Sequence, residues 1–244
     1  RLSDDGFLYK DWSLGIYDTA RNMMQDPKLV YKKESYKKDN LDIFLRKINT
    51  YEHYKKDSFI DFTDMIERAI DEVEFPPLEV LILDEAQDFT PLQWSVIYKM
   101  VDKVKRIYLA GDDDQGIYKW NGADPKYFTT YFPGREVVLR QTRRFGKEIY
   151  KFSQIIRRGI FDSVDKDYVH TEKDSYIKRY LNFNEVPFDQ CEGTWYILGR
   201  VHSSVTELKM AAKSSGLYFS DNKGNKSFDS KQWQAIKSWT TISN

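Results

Sequence analysis

Apolar residues recur at helical spacing through the first part of the chain. Leu41, Phe44, Leu45 and Ile48 fall on one face of a 3.6-residue period, and Met65, Ile66, Ala69 and Ile70 do so in a helix expected from Phe62 to Val73. Glycine is scarce, and proline occurs once before Pro76-Pro77, so residues 1 to about 75 are expected to be all-helical. The proline pair ends the last of these helices, because proline cannot continue the hydrogen-bond ladder. Leu78 to Leu83 is then an apolar run, the mark of a strand buried on both faces. A helix is expected from Thr90-Pro91 to Val101, a second strand at Arg106 to Ala110, and a short third one at Val137-Val138-Leu139. Strand, helix, strand with polar loops behind the strands is an α/β arrangement with a parallel sheet. Ligands of such sheets sit at the carboxyl ends of the strands.

Beyond Gln141 the pattern predicts a helix over about Lys147 to Arg158 and a polar stretch to about Cys191. Trp195-Tyr196-Ile197-Leu198 reads as another buried strand, followed by a helix from Ser204 to Ser214 that Gly216 caps. Asp221 to Ser227 is a loop, and Gln232 to Trp239 a last short helix.

Composition narrows the function classes. The 244 residues carry 38 Lys+Arg against 38 Asp+Glu, and 41% are hydrophobic, which fits a soluble protein of one to three units at roughly 100–200 residues each. No stretch approaches the roughly 20 apolar residues of a membrane helix, and Arg1-Leu2-Ser3-Asp4-Asp5 lacks the apolar core of a signal peptide. Cys191 stands alone and the three histidines are scattered, which excludes an internal disulfide and a zinc finger. Neutrality does not exclude nucleic acid, because binding needs only a local basic face. Tyr31-Lys32-Lys33 and Tyr51 through Lys56 interleave aromatic and basic residues. Two readings stand: a surface that tracks a strand by stacking and phosphate contact, or a solvated helical face with tyrosine anchors.

Three segments carry chemistry. Asp84-Glu85-Ala86-Gln87-Asp88 places two adjacent carboxylates at the mouth of a parallel strand. One can hold Mg²⁺ through its water shell while the other polarises an attacking water; the plainer alternative is an acidic, helix-capping loop. The run from Ala110 to Ala123 follows the next strand. Its Gln115 can hydrogen-bond a terminal phosphate, and Tyr118 and Trp120 would point to one side of an extended segment, where exposed bases could stack. Leu139 to Lys147 sets Arg140, Arg143 and Arg144 just ahead of a helix, within reach of phosphate or as a solvated basic loop.

In order and spacing these segments resemble the middle of a superfamily 1 helicase of the UvrD/Rep/PcrA type. Asp84 to Asp88 resembles its motif II, Gly111 to Ala123 its motif III, and Leu139 to Phe145 its motif IV. Ile60-Asp61-Phe62-Thr63-Asp64-Met65-Ile66 is similar to the Asp-Phe-x-x-Leu-Leu segment ahead of motif II, and Trp195 to Ser204 to the strand and loop after motif IV. The resemblance implies incomplete RecA-like, P-loop NTPase lobes with parallel sheets and an inserted all-helical subdomain. Residues 1–75 would be the insertion, 76–138 part of the first lobe, and 139–244 the beginning of the second.

For the site, it implies that Asp84 and Glu85 serve Mg²⁺ and that Glu85 is the catalytic base for ATP hydrolysis. Gln115 would sense the γ-phosphate, and Arg144 would be an arginine finger. Tyr118, Trp120 and Asn121 would meet single-stranded DNA. The family has arginine where this chain has Asn121, which removes one ionic contact. It has an adenine-stacking tyrosine where this chain has Arg143, whose guanidinium plane can also stack.

No Gly-x-x-x-x-Gly-Lys-Ser/Thr occurs in the 244 residues. In this family that loop precedes the helical insertion, and motifs V and VI follow motif IV. The expectation is therefore an internal segment of a 3′ to 5′ DNA helicase that acts on single strands and on junctions with duplex. It would use ATP and Mg²⁺ in the cytoplasm of a bacterial or phage-infected cell, without contact with a membrane. Two alternatives are a split enzyme whose P-loop comes from a partner chain and a non-catalytic DNA-binding or scaffold module that has lost it.

Overall fold

A computed structural model describes residues 11–56, 59–130, 134–160, 166, 168–188, 193–199 and 201–227, with a few positions between 231 and 238. Cys191, Arg200 and much of the helix expected at Gln232 to Trp239 lie outside the described residues. Two compact units result, Arg1–Asp174 and Ser175–Asn244; the boundaries expected at 75/76 and 138/139 both fall inside the first.

Among the described residues four helices precede the proline pair, each begun by a residue whose side chain accepts a free N–H of the first turn. Asp11 caps α1 (Trp12–Asn22), Asp26 caps α2 (Pro27–Lys33) and Asn40 caps α3 (Leu41–Lys55). Asp61 caps α4 (Phe62–Glu72) in a reciprocal box with Asp64. The stripe on α3 packs as its spacing predicts. Phe44 and Ile48 are buried with Tyr31, and Trp12, Ile16, Tyr17, Leu41 and Leu45 close around them.

The inner side of α4 is polar instead. Met65 is 53% exposed and Phe62 69%, and Thr63 is the buried residue of the helix. One oxygen of Asp61 accepts from Arg21 at 2.9 Å, from the Tyr51 hydroxyl at 2.9 Å and from Lys55 at 3.0 Å. Asp64 receives Arg21 at 2.5 Å and Lys55 at 2.7 Å, and Glu67 receives Arg21 at 2.6 Å. The apolar face expected on α4 is therefore half-solvated, because two buried cations from α1 and α3 attach to its acidic side. Burial works against the Asp61 carboxylate, but the Asp64 N–H, the Arg21 charge, Lys55 and Tyr51 outweigh it and hold its pKa at about 2.

The β1 strand (Leu78–Leu83) and β2 (Val104–Leu109) pair in parallel, Leu81 against Ile107 and Leu83 against Leu109. Between them α5 (Pro91–Val101) crosses over behind a Thr90–Gln93 capping box. Leu83 and Leu109 pack on buried Ala86, Trp94 and Ile97, joined by Tyr127 and Phe128 of α6 (Pro125–Thr130). The opposite face is open: Val80, Ile82 and Tyr108 are exposed, Ile82 by 70%. The expectation of a strand buried on both faces is corrected to one face, because among the described residues the sheet has two strands and a single helical cover.

The other two strands expected from apolar runs do not form. Val137 and Leu139 stand exposed in unpaired extended chain, and only Gln141 bridges Val169. Tyr196 and Leu198 are likewise exposed; Trp195 rests edge-on against Phe188. An apolar run becomes a strand only where an edge stands ready to pair with it. Helix α7 (Lys147–Arg157) and α8 (His202–Ser214) lie within two residues of their expected limits. Gly216, at φ +71°, closes α8 with its N–H on the Lys213 carbonyl. Among the described residues no helix is long and apolar enough to cross a membrane.

The two faces of β1 predict opposite responses. In denaturant unfolding, Ile82→Asn stays within about 0.5 kcal/mol of the parent, whereas Leu83→Asn costs about 2 kcal/mol or more. The Asp61 carboxylate has a folded-state pKa below its ordinary value of 3.8, so it stabilises the fold above that value and loses its contribution as the pH falls towards 2. An acid titration of the unfolding midpoint therefore shows a falling stability in that interval, and Asp61→Asn flattens it.

Candidate functional site

The carboxyl ends of β1 and β2 are laced together. The Ala110 N–H donates to the Leu83 carbonyl at 2.8 Å, and the Ala86 N–H to the Ala110 carbonyl at 3.0 Å. Asp84 stands exposed at the end of β1, with its carboxylate accepting the Glu85 N–H at 3.0 Å. Glu85 then adopts φ +52°, ψ +40°, a left-handed conformation that costs a residue with a side chain roughly 1–2 kcal/mol. That turn carries the chain into a short 3-10 turn, Ala86–Asp88, and sends Gln87 back beneath the strand ends.

Gln87 is 1% exposed. Its Nε2 donates to the Glu85 carboxylate at 2.8 Å, and its Oε1 accepts the Asp112 N–H at 3.0 Å. Both ends of a buried carboxamide are thus satisfied. One side chain joins the carboxylate behind β1 to the backbone behind β2. The join needs a glycine at 111: a Cβ there would sit 2.7 Å from Gln87 Oε1 and 3.3 Å from the Ala86 nitrogen. Nearby, burial and then the Glu85 charge push the Asp88 carboxyl upward.

Asp112 caps the 3-10 turn Asp113–Gln115. One of its oxygens accepts Gln115 Nε2 at 2.6 Å, and the other accepts Lys166 Nζ at 2.7 Å. Lys166 also pairs with Asp113, and with Asp114 at 3.3 Å. Arg157 of α7 meets Asp114 at 3.1 Å. The Tyr168 ring lies beneath both cations, 5.8 Å from the guanidinium and 5.9 Å from the ammonium. Burial opposes the charge on Asp112, but bonds from Lys166 and Gln115 draw its pKa down; burial likewise opposes the charge on Lys166, but its bonds to Asp112 and Asp113 raise its pKa.

Tyr118 precedes a second 3-10 turn, Lys119–Asn121, and Trp120 sits at its centre, where an extended segment was expected. Their rings nevertheless stand together in solvent, centroids 6.1 Å apart at 50°. Gly122, at φ +91°, anchors the turn on α1: a Cβ would lie 2.6 Å from Met23 Cγ. Asn121 Oδ1 is buried without a hydrogen-bond partner among the described residues.

The fold thus gathers Glu85, Gln87, Asp112 and Gln115 into one chain of hydrogen bonds, with Asp84 beside it. Arg143 and Arg144 stand exposed on the loop ahead of α7, and among the described residues no hydrogen bond or ion pair ties them to those groups. No cluster of three or more His, Cys, Asp or Glu makes a metal cage among the described residues. Two adjacent exposed carboxylates suit Mg²⁺, which keeps waters and takes other ligands from phosphates. Sequence reasoning assigned no role to Gln87, although it lay inside the acidic motif. A polar residue four positions past the strand end, with a glycine opening the next loop, was its signal. Lys166 and Arg157 had none.

Residues 12–132 match the family model described as the UvrD/REP helicase N-terminal domain. The chain is 24% identical over 206 residues to the ATP-dependent DNA helicase PcrA of Bacillus subtilis, covering 78% of this chain and 27% of that protein. It is 30% identical over 170 residues to the ATP-dependent DNA helicase Rep of Salmonella typhimurium, covering 64% and 25%. A third relative, the F-box DNA helicase protein 1 of Schizosaccharomyces pombe, is 27% identical over 153 residues, covering 60% and 16%. The chain spans 16% to 27% of the length of these three relatives. The paired parallel strands, the acidic turn behind the first and the glutamine turn behind the second all fall inside the matched segment, and the match places residues 12–132 in the UvrD/REP helicase N-terminal domain family.

Proposed function

We propose that these residues form part of the motor of an ATP-dependent DNA helicase that translocates on single-stranded DNA, with 3′ to 5′ polarity, in the cytoplasm. The observation that carries this reading is the Gln87 bridge. It links Glu85, the residue suited to take a proton from an attacking water, to the loop that ends in the Tyr118–Trp120 pair. In RecA-like terms, residues 76–138 belong to the first lobe, 139 onward to the start of the second, and 1–75 to a helical insertion.

Asp84 holds Mg²⁺, which neutralises charge on the phosphates of ATP. Glu85 orients the attacking water and accepts its proton. Gln115 is held by Asp112 through one N–H of its amide, which leaves the other to meet a terminal phosphate oxygen. A shift of Gln115 on phosphate loss passes along the same loop to Trp120. Arg144 contributes positive charge to the transferring phosphoryl group, and Arg143 stacks on the base. Tyr118 and Trp120 receive exposed bases, with Asn121 behind them.

Fluorescence-detected binding of labelled oligo-dT tests the strand site. Stacking on one aromatic is worth about 1–3 kcal/mol, so Trp120→Ala weakens binding about tenfold or more. Binding that ignores the substitution and collapses with salt leaves only basic-surface attraction and removes the DNA assignment. The 244 residues hold carboxylates and sensor but no glycine-rich phosphate loop, so this chain alone releases no phosphate from ATP. Mg²⁺-dependent release that Glu85→Gln abolishes would refute that.

A further inference from the structure

Three consecutive carboxylates, Asp112, Asp113 and Asp114, sit four to eight positions ahead of the Tyr118–Trp120 rings, on the same loop. Left bare, they would oppose any polyanion arriving at those rings. They are not bare: Lys166 contacts all three, Arg157 contacts Asp114, and both cations rest on the Tyr168 ring. The side chains involved are between 6% and 26% exposed, so solvent screens them poorly. Among the described residues three negative charges meet two positive ones, and removal of Lys166 would leave Arg157 to face them alone.

We propose that Lys166, together with Arg157, is a charge-compensating positioning pair that neutralises the acidic triplet and so admits a phosphate backbone to the Tyr118–Trp120 platform. The inference rests on the single-strand reading of that platform and adds to it two residues that touch neither nucleotide nor strand. Lys166 acts through Asp112, Asp113 and Asp114. Lys166 thereby sets the charge of a loop earlier in the chain, Lys166 to Asp112 being 54 positions apart.

The test is oligo-dT binding to the 244-residue chain at low and high salt, with four substituted forms beside Trp120→Ala. Lys166→Met weakens binding about five- to tenfold at low salt, and the loss shrinks as salt rises. Lys166→Arg stays within about twofold of the parent, because a guanidinium keeps the charge. Adding Asp113→Asn and Asp114→Asn to Lys166→Met restores binding to within about twofold, since the charges that remain, Asp112 and Arg157, are then one of each sign. The double substitution Asp113→Asn/Asp114→Asn alone, which leaves Lys166 in place, tightens binding severalfold, and it serves should Lys166→Met unfold the chain.

Unchanged binding in Lys166→Met, with Trp120→Ala still weak, overturns the inference and spares the strand site. A triple variant no better than Lys166→Met, or a double variant no tighter than the parent, overturns it too, because the effect would then be one of loop shape. If Trp120→Ala itself binds like the parent, the strand reading falls and takes this inference with it.

Discussion

A carboxamide shut away from water must have every polar atom answered, and Gln87 is the place where this chain meets that demand. Its two partners are the Glu85 carboxylate and the Asp112 N–H, and each lies at the end of a different strand. Satisfying both at once fixes much else. Glu85 has to turn left-handed to bring the next residues back beneath the sheet, and position 111 has to lack a Cβ. The strained turn at Glu85 costs about as much as stranding one buried polar atom, and it spares both ends of the amide. The adjacent carboxylates therefore end in solvent while their support is buried, a division suited to a site that must be rigid below and accessible above.

The helical segment solves a different problem by different means. Its apolar core around Tyr31, Phe44 and Ile48 is modest, and α4 adds little to it. Arg21 and Lys55 do the joining instead, converging on Asp61 and Asp64 from separate helices. Such a cluster is directional where an apolar face is not. Each donor reaches its acceptor in one arrangement of α1, α3 and α4, and loss of one partner leaves the others charged and buried. Thr90 and Asn22, hydrogen-bonded at 3.3 Å, carry that fixed geometry from α1 to the start of α5.

What could be read in advance follows from how local each signal is. The helices begun near Phe62 and Pro91, the stripe on α3 and the strands read at Leu78 and Arg106 are written within a few residues, and their elements formed within two residues of those starts. Val137–Leu139 and Trp195–Leu198 look the same as β1 by composition, yet pairing is a property of the neighbour and not of the run. The α4 face misled for a related reason: its carboxylates recur at helical spacing as its apolar residues do, and only the arrival of Arg21 and Lys55 decides which side turns inward. At the site, Asp84, Glu85, Gln115, Tyr118 and Trp120 were legible because their residue types are chemically suggestive at that spacing. Gln87 and Lys166 were not, because a glutamine and a lysine acquire meaning only from partners 25 and 54 positions away.

The parallel pairing of β1 with β2 also sets a schedule. Leu78 is matched to Val104, 26 residues later, and at about 5–20 residues per second the first strand waits roughly one to five seconds for its partner while the chain is being made. During that interval the edge of Leu78–Leu83 that β2 later takes keeps its backbone groups unpaired. Helix α5 emerges between the two strands and brings Trp94 and Ile97 to the side carrying Leu83. Among the described residues the side carrying Val80 and Ile82 gains no such cover. The pace of synthesis between Leu83 and Val104 therefore sets how long that edge waits for its partner.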